Sequence, residues 1–137
     1  MSLKQYDYTL DLMVRDYECD MDGLVNNAVY QNYLEHTRNE CLKTMDLNYA
    51  IMTKADQHLY VARIEIEYKY PLRSNDNFRV AMLIARSSSA ILNLQQDIYR
   101  LPDSKLILNA KVVIVGMEGN NYRLPQVLID NFPLNKQ

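Results

Sequence analysis

Only one stretch of this 137-residue chain carries the periodicity of a long helix, and that imbalance constrains the fold more than any other feature. From Ala28 onward, Tyr30, Tyr33, Leu34, Thr37, Cys41 and Met45 recur at spacings of three and four. They mark one face of a helix that begins near Asn27 and ends around Met45 to Asn48. Asn26 or Asn27 is the expected N-cap, its side-chain oxygen accepting a free N–H of the first turn. The other periodic segments alternate. Tyr6, Tyr8, Leu10, Leu12 and Val14 alternate with Asp7, Thr9, Asp11 and Met13, the pattern of a half-buried strand. Beyond a short irregular piece around Ala50, Ile51 and Met52, four further strands are expected at about 59–70, 78–85, 90–99 and 106–115. In the first of these, Ala62, Ile64, Ile66, Tyr68 and Tyr70 alternate with Arg63, Glu65, Glu67 and Lys69 until Pro71 ends it. The strand at 106–115 is the most apolar and is expected near the sheet centre. Connections such as "RSNDN", "RSSS" and "LPDSK" look too short for crossovers, so the four strands are expected as antiparallel neighbours. The tail offers Leu124, Val127, Leu128 and Ile129 for docking. A single helix then has to cover a whole sheet. The reading is one α+β domain over residues 1–137, an antiparallel β-sheet wrapped around one long central α-helix.

Composition removes several functions. A net charge of -2 argues against a protein that neutralises nucleic-acid phosphates. Three glycines, with neither G-x-G-x-x-G nor a P-loop, give no nucleotide cradle. No apolar run approaches the roughly 18 residues of a membrane span. The opening "MSLKQYDYTL" lacks the apolar stretch of a secretory signal, so a reducing compartment, the cytoplasm, is the expectation. Cys19 and Cys41 are too few for a disulfide framework or a thiolate metal site and read as small buried side chains.

The segment "ECDMDGLVNN", residues 18–27, carries the chemistry. Glu18, Asp20, Asp22 and Gly23 approximate the first half of a calcium loop. That loop needs a preceding helix and a glutamate at its twelfth position, whereas here a strand precedes it and Val29 falls at that place. Two readings are left. Asp20 and Asp22 are solvated turn residues at a helix dipole, or Asp20 is a catalytic carboxylate set just before free helix N–H groups that can polarise an oxygen.

The run "VRDYECDMDGLVNNAVYQNYLEHTR", residues 14–38, resembles the signature of acyl-CoA thioesterases of the 4-hydroxybenzoyl-CoA thioesterase type, D-x-D-x-x-G-x-V followed by a helix. "YKYPLRSND", ending at Asp76, resembles that family's proline-terminated strand and turn, and the order of elements is that of the hotdog fold. The resemblance implies that Asp20, three residues before Gly23, is nucleophile or general base, with Glu18 in place of the family's first acid. It implies that the backbone N–H of Asn27 faces the thioester oxygen, and that Val25, Asn26 and Tyr30 contact substrate. Some branches carry histidine where this chain has Asn27, which leaves the backbone donor. No role transfers to Asp22. Arg86, Ser87, Ser88 and Ser89 stand where related enzymes contact the pantetheine or phosphates of coenzyme A, or else form a polar turn. A homodimer, or a dimer of dimers, is implied, with each site borrowing residues from the partner.

His36 and His58 read as exposed histidines, Glu35 as a solvated helix residue, and Arg63, Lys69 and Arg73 as surface or phosphate-facing cations. Met21, Met45, Met52 and Met82 suit either the core or an acyl lining. The function read from the sequence is an acyl-CoA thioesterase of lipid metabolism that needs no metal and no cofactor. The alternatives are hydrolysis of acyl groups on acyl carrier protein and a non-catalytic acyl-CoA-binding hotdog protein. A hotdog dehydratase fits less well, because its usual histidine is missing from the motif.

Overall fold

The computed structural model describes residues 5–134. β1 (Tyr8–Met13) leads through a short 3-10 turn at Asp16–Glu18 to α1 (Asn27–Lys43). Then come α2 (Tyr49–Lys54), β2 (Gln57–Tyr68), β3 (Asn77–Arg86), β4 (Ile91–Leu101), β5 (Lys105–Glu118), β6 (Asn121–Tyr122) and α3 (Gln126–Asn131). Five strands form one antiparallel sheet in the order β1-β3-β4-β5-β2, and the two-residue β6 folds back on β5. This is the α+β hotdog arrangement.

α1 buries the expected stripe, Tyr30, Tyr33, Leu34, Thr37 and Cys41, against the sheet. Its first half meets Phe78, Val80, Ile98, Leu108 and Ala110. Its second half meets Met82, Ile84, Leu94, Val112 and Ile114. Each large apolar side chain removed from water in this way contributes about 1.5–3 kcal/mol. Gln96 is fully buried on the helix-facing side of β4, where its amide donates to the Leu34 carbonyl at 3.1 Å. Thr37 answers the same need by donating its hydroxyl to Tyr33 O at 2.8 Å.

Four expectations are corrected. First, β2 and β3 are not neighbours, because β2 lies at the edge beside β5. Residues 69–76 span, when extended, roughly 25 Å. Three strand spacings need only about 14 Å, so the connection can cross the end of the sheet. Second, the piece around Ala50 is α2, started by the Asn48 side chain accepting Ile51 N–H at 2.9 Å, a cap too local to show as periodicity. Third, α1 ends at Lys43, where the chain turns through Asp46 at a φ of 59°. Fourth, Asn26 is the N-cap of α1 but caps with no side-chain bond, since its amide donates to Glu18 O at 3.4 Å. The tail does more than dock. Leu124 and Leu128 enter the core, and α3 carries the second of them.

Cys41 is buried in the core, and burial pushes its thiol up to about 11. The thiolate is the reactive form, so at pH 8 only about one molecule in a thousand presents it. Alkylation at pH 8 is therefore expected to label Cys41 slowly in the folded protein and quickly after denaturation. Mass spectrometry of the labelled peptides checks this, and equal rates in both states would contradict the packing.

Candidate active site

The acidic segment folds into a tight turn organised by Asp20 itself. Its Oδ1 accepts the backbone N–H groups of Asp22 at 2.9 Å and Leu24 at 3.1 Å. Its backbone N–H donates to Leu24 O at 2.8 Å, and Gly23 N–H donates to its carbonyl at 3.0 Å. Gly23 sits at a φ of +77°, a conformation side-chain-bearing residues resist, which is why a glycine closes this turn. One carboxylate oxygen is thus fixed by two donors, and the other accepts no hydrogen bond among the described residues. Asp22 stays exposed, and Met21 projects fully into solvent.

The turn is tied to the rest of the protein on two sides. Toward the sheet crossover, Val25 N–H donates to Leu72 O at 3.0 Å and Ser74 N–H to Gly23 O at 3.2 Å, while Leu24 and Arg73 form an isolated antiparallel bridge. Asp76 closes the crossover by accepting Arg73 N–H at 2.9 Å. Toward the helix, Glu18 acts as a latch. Its Oε1 accepts Arg15 N–H at 2.8 Å and the Tyr33 hydroxyl at 2.9 Å, while its carbonyl accepts Asn26 N–H at 3.1 Å. Tyr33 is buried against Phe78 and Tyr30, with ring centroids 4.6 and 6.2 Å away. Burial first, and then the bond to Glu18, raise its hydroxyl well above the usual phenol range, so it remains a donor at any working pH. The sequence contained both residues, but nothing in their spacing of fifteen announces a hydrogen bond.

With Asn26 spent on Glu18, no acceptor among the described residues takes the N–H groups of Asn27 and Ala28. These exposed donors stand at the start of a 17-residue helix, directly after the Asp20 turn. A carboxylate followed by free helix N–H groups is equipped to attack a carbonyl, or to activate water against it, and to stabilise the oxyanion that forms. Val25 and Tyr30 are buried beneath this surface. Tyr30 accepts Leu72 N–H at 2.9 Å and stacks edgewise on Tyr68, at 5.6 Å between centroids, so its hydroxyl is committed to the scaffold.

The structure does not bring Arg86, Ser87, Ser88 and Ser89 to this turn within one protomer. They follow the far end of β3, a strand roughly 30 Å long. Arg86 is buried, donating to Phe132 O at 2.7 Å and Ser88 O at 2.9 Å, and it fastens the α3 tail to the β3–β4 hairpin. Arg63 and Lys69 pair along their own strand side with Glu65 and Glu67. Arg73 is exposed beside the turn.

The larger cavity, about 370 Å³, lies between the second half of α1, α2 and the first half of β2. Glu35, His36 and His58 sit on its walls, and Glu35 is exposed, in keeping with the solvated position read from the sequence. His36 stands 4.0 Å from Glu40, and His58 is 2.9 Å from Asp56. Met52 lines this cavity from the core, while Met45 and Met82 line a small apolar void of about 30 Å³ next to it. Among the described residues no group of three or more His, Cys, Asp or Glu is placed to hold a metal ion.

Removing the Tyr33 hydroxyl tests the latch. Tyr33→Phe keeps the ring packing and frees Glu18, at a cost of about 1 kcal/mol in stability. Because the turn then loses an anchor, turnover is expected to fall severalfold with KM little changed. Steady-state kinetics beside a melting curve separates the two effects.

Comparisons with known proteins place the chain in a family. Two chloroplastic acyl-acyl carrier protein thioesterases of Arabidopsis thaliana are 37% and 36% identical over 85% and 88% of the chain. The chain spans 60% and 63% of their lengths. A putative esterase of Aquifex aeolicus is 33% identical over 85% of the chain and 91% of its own length. Among solved structures, a 1,4-dihydroxy-2-naphthoyl-CoA thioesterase from Synechocystis superposes with a TM-score of 0.83 at 18% identity, covering 90% of this chain and 96% of that one. The family model of the thioesterase-like superfamily matches residues 14–132, a span that takes in the Asp20 turn, α1 and the whole sheet except β1, and the chain belongs to that superfamily.

Proposed function

We propose that this chain hydrolyses acyl thioesters, with Asp20 as the catalytic carboxylate and the N–H groups at the start of α1 as oxyanion donors. The observation that carries the reading is the Asp20 turn, in which Oδ1 is fixed by Asp22 and Leu24 immediately ahead of two unclaimed helix N–H groups. Attack by the carboxylate, or by water it deprotonates, converts the thioester carbonyl into a tetrahedral oxyanion. Donors there are typically worth about 3–4 kcal/mol each. Collapse expels a thiolate, a good leaving group. Attack by water gives the free carboxylic acid directly, whereas attack by the carboxylate gives a mixed anhydride with Asp20 that a water then hydrolyses to the free acid, restoring Asp20. The substrate is an acyl-CoA. The names of the Arabidopsis relatives favour acyl carrier protein as a second carrier.

The working unit in this reading is a homodimer. β2 is an edge strand, and Tyr60 and Val61, exposed by 55% and 48%, lie on it. A second copy adding to that edge removes a liability single sheets otherwise carry. α1 runs antiparallel to β2, since Tyr30 meets Tyr68 at one end while Leu42 and Leu59 share the cavity at the other. A two-fold axis through β2 therefore sets the Asp20 turn of one protomer toward the 370 Å³ cavity of its partner.

The test is thiol release from short, medium, long and aromatic acyl-CoAs and from the matching acyl carrier protein thioesters, with the molar mass taken by sedimentation. Turnover by a particle of twice the chain mass supports the reading. No release from any thioester, by intact dimer, would sink it and leave an acyl-CoA-binding protein.

A further inference from the structure

The cavity beside α2 is mostly apolar, but one cation on its wall has no carboxylate partner among the described residues. Arg38 projects from α1 eleven residues beyond Asn27, roughly 16 Å along the helix axis. It lines both the 370 Å³ cavity and the small void behind it. Among the described residues its one hydrogen bond is to a neutral group, from Nη1 to Oε1 of the fully buried Gln96 at 3.0 Å. Gln96 is held in turn by the Leu34 carbonyl, so the guanidinium is braced from behind. No acid among the described residues comes within ion-pair distance of Arg38, and Glu40 on the same helix is engaged by Lys43 at 3.1 Å.

A guanidinium carries five N–H donors. No side-chain nitrogen or oxygen buried among the described residues lacks a hydrogen-bond partner. The nitrogens of Arg38 that make no bond are therefore accessible, and Arg38 is one of the residues that line the cavity. Holding a half-buried cation on a neutral amide is a costly way to close an apolar wall, and burial works against its charge. The arrangement is repaid when an acceptor enters. Glu35 lies on the same cavity wall and its charge acts on Arg38, so a full carboxylate entering there meets repulsion that a neutral oxygen does not.

We infer that Arg38 is a specificity-determining residue, recognising an uncharged oxygen, a ketone or hydroxyl, carried by the acyl group well away from the thioester. The inference rests on the hydrolase reading for its substrate, and on the cavity and Arg38 for its selectivity. An acyl group bearing such an oxygen leaves Arg38 paired, whereas a plain hydrocarbon of equal length leaves its donors dry and unpaired. Sites that hydrogen-bond a ligand group reject the analogue lacking it more strongly than apolar pockets reject an extra methylene.

The experiment uses the full chain and matched acyl groups of one length: plain, with an oxo or hydroxyl group near the thioester, mid-chain or at the far end, and with a terminal carboxylate. Each is offered as a CoA ester for thiol release and as a non-hydrolysable CoA thioether for calorimetric binding, to wild type, Arg38→Met and Arg38→Lys. Wild type is expected to bind the best oxygen-bearing member at least about tenfold more tightly than the plain one, with the carboxylate behind it. Arg38→Met should lose that ratio, and Arg38→Lys should keep part of it. A wild-type ratio near one overturns the inference whether or not Arg38→Met folds. So does a ratio that survives in folded Arg38→Met, or a preference confined to oxygens beside the thioester. Oxygen-selective binding with no thiol release from any ester leaves the Arg38 site standing and removes the hydrolase reading. Thiol release without oxygen selectivity does the reverse.

Discussion

Asp20→Asn is expected to lower thiol release by about 10²–10⁴-fold, the span associated with removing a positioned general base. The substitution is nearly isosteric, and the amide oxygen of asparagine can still accept the Asp22 and Leu24 N–H groups that hold Oδ1 at 2.9 and 3.1 Å. The turn, the melting temperature and the particle mass should therefore stay at wild-type values, and the loss should appear in kcat. Asp22→Asn is the companion, because that exposed side chain makes no hydrogen bond among the described residues and its loss should leave turnover within a few-fold. Retention of more than roughly a tenth of wild-type turnover by Asp20→Asn would assign the chemistry elsewhere, and Glu35 on the cavity wall would be the next carboxylate to replace.

Gly116→Ala is expected to be the most damaging small substitution in the sheet. A Cβ at this position would lie 2.6 Å from the Arg123 carbonyl oxygen and 2.8 Å from Leu124 Cα, both backbone atoms. That backbone is pinned, since Gly116 donates to Ala90 O at 2.8 Å and accepts Arg123 N–H at 2.9 Å, while Leu124 is fully buried. The strand or the returning tail has to move, at about 1–3 kcal/mol, the usual range for an overfilled core. For a chain of this length the melting temperature should fall by about 3–10 °C. Gly23→Ala is the contrast. Nothing lies within 4 Å of the added carbon, and only the φ of +77° resists it. Calorimetry of the two variants orders them, and a Gly116→Ala protein as stable as wild type would mean the tail does not lie against β5 as described.

The parts of the fold legible in the sequence were those set by side-chain period. α1 shows its stripe at three and four, and each main strand alternates, because one face of each has to leave water. β3, β4 and β5 are antiparallel neighbours as their short connections implied, but the position of β2 in the sheet was not legible. β2 and β3 are consecutive, yet β2 pairs with β5 through contacts such as Ile64 with Val112, and no local pattern encodes a partner so far along the chain. The same distance hid the site's support. Asp20, Gly23 and Asn27 form one contiguous run and could be read together. The bond from Tyr33 to Glu18 and the bracing of Arg38 by Gln96 depend on packing. Arg86 shows the opposite hazard, since a cation beside three serines suggests phosphate binding, while folding commits its guanidinium to the Phe132 and Ser88 carbonyls.

The backbone ties between the Asp20 turn and residues 72–76 have a consequence for how such a protein can diversify. Because Leu24, Val25 and Gly23 are bonded to the strand crossover, an insertion in either segment would displace both, and the Asp20 carboxylate cannot be re-aimed without rethreading the sheet. α2 and the start of β2 carry no such ties to the turn. Under the proposed function, a lineage built on this plan can therefore exchange one acyl group for another by altering the far half of the helix and its cover, while the Asp20 turn is inherited unchanged.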